Sequence, residues 1–593
     1  MSLDSKRTTS PENDAIQRFQ RNHYVVVPIL AQDPTVLHGD GNAITTKVRI
    51  PRENWQAGPR GARVQIVDHD SSARTTYEAV EFDPDVLTSR PSDDDLASSD
   101  YHACNLFATA MATIGQFERA LGRRVSFYTD THQIKLAPHA FVGANAYYDR
   151  GSEAVLFGYF GGRSGNWIDT CLSYDIIVHE MTHAVLDGLR PRFVDPSSPD
   201  QAAFHEAFAD IVALLSTLTR REVVEWALTN GLRDVVASRK AIDDALDNSI
   251  LLGIAPQLGA ELDERQRALR NSLELMKMVK ARSDSVGVSG EAHDRGEMLV
   301  AAVLTAFRGA LVKRLDDVLP EQTQNTSIPL VAEEASRVAD LLLTVCIQAI
   351  DYTPPVHMEF SDYLSALLTV FAEFHDMDAR VDVGEELLRG FEAIGILPAV
   401  DDRPSSPNPS WRDCRWTPFD GTADYRDVRF EQIQSDRDEA FRFVFANLEQ
   451  LGLDDKAYTR VLSVHPSVRV SPDDGFTVRE TVLECLQRLQ PNGAELAELL
   501  SKAGVDVTSL EGGTIYNLRG GTTLILGDHG QVKYSIHKRL IPRNHLSRLA
   551  GNIDYLRRQG WISTYGTRRA NFAQLHQARR QVSADRASDE VWT

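Results

Sequence analysis

The sequence predicts an α+β chain arranged in three stretches. Strand-like runs gather between Tyr24 and about Phe82. Helical periodicity dominates from about Leu172 to Gly395. A Pro- and Ser-rich segment beginning at Asp401, DDRPSSPNPSW, sets off a last region that mixes both.

In chain order, YVVVPIL, TTKVRI, ARVQIVDHD and TTYEAVEF are rich in β-branched and aromatic residues and separated by Gly, Pro and Asp, which predicts strands. The acidic, turn-rich TSRPSDDDLASSD reads as a connection. From residue 100 to 123 the period changes, with Leu106, Ala110, Ile114, Phe117 and Leu121 on one helical face. Strands return in VSFYT, IKLA and AVLFGYF. Two strong helices follow, from about Leu172 to Leu189 and from about Ala202 to Leu218. Further helices are expected at 264–281, 296–314, 330–350, 360–375 and 383–394. Beyond the break, helices are expected near 436–451 and 476–502, then strands in GGTIYNL, TTLILGD and QVKYSIHKRL. The division this suggests is a disordered lead-in (1–20), an N-terminal β-rich region (21–98), a mixed, largely helical region (99–398), a linker (399–410) and a C-terminal α+β domain of unknown role (411–593). No internal repeat is visible.

At 593 residues the chain is long enough for several domains, at roughly 150 residues each. Hydrophobic residues at 42% and charged residues at 25% are an ordinary globular balance, able to bury a large core. The formal charge of -21, from 63 Lys plus Arg against 84 Asp plus Glu, repels phosphate backbones and anionic lipid, so neither nucleic acid nor a membrane is favoured as a partner. The five cysteines are scattered, odd in number and without a CxxC pair, which argues for a reducing compartment and against a disulfide framework or a thiolate metal site. The polar N-terminus lacks the apolar segment of a signal peptide, and no run of about 18 apolar residues suggests a membrane span, so a cytoplasmic location is expected.

The chemistry gathers in YDIIVHEMTHAVLDG. His179 and His183 are four apart, so on a helix they lie one above the other and can grip one Zn²⁺, with Glu180 beside it. Apolar Ile176, Ile177, Val178, Ala184 and Val185 keep that helix buried. The second helix carries His205-Glu206-Ala207-Phe208-Ala209-Asp210, again with two acids four apart. Glu206 can complete a His₂Glu site that leaves a fourth position for water, as catalytic zinc requires. Asp210 can accept the outer N–H of a ligand histidine. Glu180 is then placed to take a proton from the water and pass it to the leaving amine.

HEMTHAVLDG followed by HEAFADI resembles the zinc helix and third-ligand helix of the thermolysin-like metallopeptidases, the gluzincins. The likeness extends to Gly143-Ala144-Asn145-Ala146-Tyr147-Tyr148, similar to the family's substrate-binding edge strand, and to Ser289-Gly290-Glu291-Ala292-His293, similar to its run before a helix. FSDYLSALLTVF and GFEAIGIL also fit its end, so the resemblance covers about 100–397. It implies a two-lobed metallopeptidase, with a β-rich N-terminal lobe, a helical C-terminal lobe and zinc in the cleft. By the same resemblance His179, His183 and Glu206 are ligands, Glu180 the general base and Asp210 the carboxylate behind a ligand. His293 would stabilise the oxyanion, and Asn145 and Ala146 would contact the backbone of a peptide or protein substrate by strand addition. Ile176 matches a residue of the pocket for the side chain after the scissile bond. His102, in SDYHACN, matches a position read as structural.

Some positions depart from the family. Where it has an oxyanion tyrosine this chain has Phe193 or Val194, and Arg190 or Arg192 are the candidates to replace it. His205 stands for an asparagine. Asp175 matches a calcium-binding acid, but Thr217 stands where its partner glutamate would be, so structural calcium is not expected. Gly161-Gly162 and Gly512-Gly513 are read as turn glycines, and the basic run KRLIPRNHLSR as a solvated face. The rival to a zinc endopeptidase is a peptide-binding protein on a peptidase scaffold, which the presence of Glu180 disfavours. A narrow exopeptidase would need a charged anchor that is not evident.

Overall fold

The computed structural model describes residues 23–37, 41–129, 131–162, 165–195, 197–230, 292–318, 326–375, 383–399, 410–470, 475, 477–501, 516–541 and 546–558, with short strands at 236–237, 253–254, 270–271, 562–563 and 566–567. The expected lead-in, most of the linker, Gly512, Gly513 and most of GGTIYNL lie outside them. Within the expected helix 264–281 only Arg270–Asn271 is described, and it pairs as a strand with Gly253–Ile254.

Helix and sheet are mixed along the chain. Tyr24–Leu30 pairs antiparallel with Thr45–Pro51, and Thr46, Val48 and Ile50 of the second strand are buried in strict alternation. A five-stranded sheet follows. Val64–Ile66 and Ile134–Val142 run parallel, Ala154–Gly161 is parallel to the second of these, and Ala146–Asp149 and Trp167–Asp169 each pair antiparallel with Ala154–Gly161. Ala146–Asp149 is an edge of this sheet. VSFYT is not a strand. Its backbone is engaged by side chains instead, with Val125 N–H donating to Glu118 at 3.2 Å and the Val125 carbonyl accepting from Arg63 at 2.6 Å. Of TTYEAVEF only Thr75–Thr76 is paired, with His69–Asp70.

Most of the expected helices are present: Ser99–Leu121, Tyr174–Leu189, Pro199–Leu218, Ala292–Val318, Ile328–Ala349, Phe360–Phe374 and Val383–Glu392. Their starts follow from local chemistry. Ser198 caps Pro199–Leu218 by accepting from Gln201 N–H, with proline in the first turn. Two of them, Tyr174–Leu189 and Pro199–Leu218, are buried almost all round, as helices at the centre of a large core must be. Among the described residues no single helix is long and apolar enough to cross a membrane. The bent pair Pro199–Leu218 and Arg221–Thr229 passes by length and composition only.

The last region departs furthest from expectation. Arg437–Ala446 is helical, but 476–502 is not one helix: Thr477–Leu489 is a strand and Gly493–Ser501 a short helix. The sheet runs Tyr458–Val470, Thr477–Leu489, Leu518–Gly527, Val532–Lys538, all antiparallel. The strand Thr477–Leu489 is central and buried on both faces, Val482 joining the main core while Leu483 and Cys485 join a second one. A strand apolar on both faces loses its alternation, and its pattern cannot be told from a buried helix.

This sheet packs on the helical region. Val482, Ile525, Tyr534 and Ile536 belong to the same apolar core as Phe371, Leu364 and Tyr174–Leu189, the HExxH helix that carries His179, Glu180 and His183, and Trp411 is buried there too. Buried charges tie the two together: Arg190 to Glu484, Arg469 to Asp351 and Glu480, and Lys538 to Glu359 and Asp362. Lys538 and Arg548 of the basic run are thus held by Glu359 rather than facing solvent. Gly122 allows a close approach between the two regions. It ends Ser99–Leu121 at φ 65°, a left-handed cap, and a Cβ there would lie 2.1 Å from the Val468 carbonyl oxygen.

Candidate metal centre

The two buried helices Tyr174–Leu189 and Pro199–Leu218 bring the predicted ligands together. The Nε2 atoms of His179 and His183 are 3.0 Å apart, and the Glu206 Oε2 lies 3.7 and 3.8 Å from them. The point equidistant from the corners of a triangle with those edges is about 2.05 Å from each, a normal Zn–N or Zn–O length of about 2.0–2.2 Å. The three donor atoms are thus spaced to hold one metal ion between them. Two imidazoles and one carboxylate, with no thiolate, are also the donor set of catalytic zinc.

Behind the ligands each histidine has its own support. Asp210 Oδ1 lies 2.7 Å from His179 Nδ1, as the sequence suggested. The carboxylate accepts, so His179 carries its proton on Nδ1 and presents Nε2 to the centre. The support of His183 was not foreseen: its Nδ1 is 2.7 Å from Nδ1 of His205, and the two rings stack at 4.9 Å with 24° between planes. His205, noted in the sequence only as a departure from asparagine, does for His183 what Asp210 does for His179. Burial disfavours a charged His179, but Asp210, Glu206 and Glu180 outweigh it and push its pKa up to about 8. Three carboxylates around two histidines make a site that draws in positive charge.

Glu180 is wholly buried and accepts a hydrogen bond from Tyr148 N–H at 3.0 Å. Tyr148 belongs to the edge strand Ala146–Asp149, so the strand and the acid beside the ligands are directly coupled. A second link reinforces it. Asp187, two turns after Glu180 on the same helical face, accepts from the Tyr148 hydroxyl at 2.9 Å and from Arg150 Nε at 2.7 Å. The i, i+7 spacing of Glu180 and Asp187 is the only signal by which the sequence could have pointed to it.

The remaining predicted residues are placed as follows. Asn145 immediately precedes the edge strand, its side-chain oxygen accepting from Ala146 N–H at 3.0 Å. His293 lies in the first turn of Ala292–Val318, and its side chain is outside the described residues, as are Ser289, Gly290 and Glu291. Phe193 and Val194 are buried and have no hydroxyl. Arg190 is committed to Glu484 and to the Ile350 carbonyl, which removes it as a replacement donor. Arg192 faces Asp195 at 3.4 Å. Asp175 lies in the first turn of its helix, accepting from Ser173 Oγ at 2.7 Å and Ile176 N–H at 2.9 Å. Thr217 donates to the Ala213 carbonyl. Ile176 is buried in the core.

No family model matches the sequence, and no curated protein matches it. Among solved structures, the chain is similar to the precursor of protealysin, a metalloproteinase from Serratia proteamaculans, at 14% identity and a TM-score of 0.34, over 58% of this chain and 90% of that one. A likeness at that level does not fix the fold, and the chemistry here rests on the site's own atoms.

Proposed function

We propose that this protein is a zinc metalloendopeptidase of thermolysin-like, two-lobed design. The observation that supports this reading is the convergence of His179 Nε2, His183 Nε2 and Glu206 Oε2 on one point, with Glu180 between the two histidines in the chain. Zinc bound by these three would acidify a water and polarise the scissile carbonyl. Glu180 takes the proton of the attacking water on its carboxylate and delivers it to the departing amine. Tyr148 N–H holds that carboxylate in place at 3.0 Å. The strand Ala146–Asp149 lies at the edge of its sheet and touches Glu180, which supports an extended peptide lying alongside it by strand addition. Asp210 and His205 keep the two ligand rings turned inward. His293 is the proposed donor to the developing oxyanion.

The test is a metal analysis of the full chain together with hydrolysis of casein and a peptide library, with and without a chelator. Zinc-dependent cleavage is expected, and Glu180→Gln should lower turnover by about 10²–10⁴-fold while zinc content is retained. A second reading is a peptide-binding protein on this scaffold, and one feature favours it: Glu180 and His183 are wholly buried. A zinc-loaded chain that binds peptides and cleaves none would establish that reading in place of the first.

A further inference from the structure

A second group of ligand-type side chains lies apart from the candidate centre. His102 on the helix Ser99–Leu121, His139 on the strand Ile134–Val142 and Cys171 in the turn just before the HExxH helix bring ligand atoms within 4.8 Å of one another. All three are buried, at 3%, 6% and 0% exposure.

The hydrogen bonds around the two imidazoles determine which atoms face inward. His102 Nε2 is 2.7 Å from the Leu96 carbonyl, which can only accept, so that nitrogen carries the proton. His139 Nδ1 is 2.9 and 3.0 Å from the two Asp68 carboxylate oxygens and carries a proton for the same reason. The inward atoms, His102 Nδ1 and His139 Nε2, are 2.8 Å apart. With both rings neutral they turn lone pairs towards each other, which is repulsive unless a cation stands between them. The cation is either a proton shared by the rings or a metal ion.

The surroundings favour the metal. A proton shared between two nitrogens needs no third donor, yet Cys171 Sγ is within reach of both. Asp169 Oδ1, 3.8 Å from His139 Nε2, adds negative charge on the same side. A carboxylate behind one ligand histidine and a backbone carbonyl behind the other is the usual support of zinc-bound imidazole. We propose that His102, His139 and Cys171 form a second metal site, for a borderline divalent cation of the zinc type. Two imidazoles and a thiolate select that class over calcium or magnesium, which take oxygen donors. Binding converts the Cys171 thiol to thiolate, and the released proton passes to solvent. The ion would fasten the long helix and the sheet to the turn that launches the HExxH helix, a bracing role separate from the candidate centre.

Sulfur makes the two sites spectroscopically distinct. The test is titration of the metal-stripped full chain with Co²⁺, followed by absorption, together with metal counting by mass spectrometry. The expected result is two cobalt ions per chain and a thiolate-to-cobalt charge-transfer band in the near ultraviolet, which a site of two histidines and a glutamate cannot give. His183→Ala should lose one ion and keep the band. Cys171→Ser should lose the band and keep the d–d absorption of the other site, and His139→Gln should weaken binding of the second ion alone. A wild-type chain that takes up no more than one cobalt ion and shows no charge-transfer band overturns the proposal and leaves the histidine pair sharing a proton. That measurement needs no variant to fold.

Discussion

Replacing Asp351 by alanine probes the joint between the helical region and the last sheet. Its carboxylate is gripped by both Nη atoms of Arg123 at 2.6 Å and by Arg469 at 2.7 Å. The three side chains are only 2%, 10% and 5% exposed, so water cannot take over from the lost group. After the substitution Arg469 keeps Glu480 at 2.7 Å, but the ion pair of Arg123 is gone. One buried charge is therefore stranded, and such a break costs about 3–5 kcal/mol, against about 0.2–1 kcal/mol for an exposed pair. Urea unfolding followed by tryptophan fluorescence should show this loss. Adding Arg123→Met to the same chain removes the stranded charge and should recover part of it. A loss below about 1 kcal/mol, or a double variant worse by the full cost of both changes, would refute the argument that Asp351 is the buried counter-charge of Arg123.

Other outcomes follow from the same geometry. His205→Ala and Asp210→Asn should each weaken zinc binding by about 10–100-fold, measured by competition with a chromophoric chelator, because each removes the group that orients a ligand ring. Acid should loosen the joint. Burial pushes the Asp351 carboxyl up, but Arg123 and Arg469 outweigh it and hold it well below the usual range. Its contribution is thus present above the unfolded value of about 3.9 and is lost as pH falls towards the depressed one, a slope in melting temperature that Asp351→Asn should flatten. Truncation near Asp402 strips Lys538 from Glu359 and Asp362, and Lys533 and Tyr534 from Glu373. The shortened chain is expected to lose cooperative unfolding and metal, and a zinc-loaded core with a sharp transition would show the packing to be dispensable. Gly122→Ala should destabilise by more than about 1 kcal/mol in the same urea assay, since both its φ of 65° and the Val468 carbonyl oppose a side chain.

The sequence by itself singled out most of the residues that meet in the candidate metal centre. His179, Glu180 and His183 are local, and a helix fixes the relation of positions four apart without help from the rest of the chain. Glu206 and Asp210 lie on one further helix, so only the packing of two helices separated the pattern from the triangle of donor atoms. Strands with one buried face, such as Thr45–Pro51, were legible for the same reason: their period is written in successive residues.

Only the tertiary structure decided the rest. His205 was visible in the sequence, but nothing in it said that the ring would stack on His183. The strand Thr477–Leu489 hid as a helix because it is buried on both faces and carries Glu480 and Glu484, acids made tolerable by partners on other elements, Arg469, Lys533 and Tyr352 for the first and Arg190 for the second. The scattered cysteines argued against a thiolate site, and their spacing carries no information on which distant residues lie beside them. His102, His139 and Cys171 come from a helix, a strand and a turn, and they meet because the fold buries all three elements in one place. Backbone periodicity acts over a few residues and can be read from the chain, whereas long-range contacts are set by the competition of all buried surfaces at once.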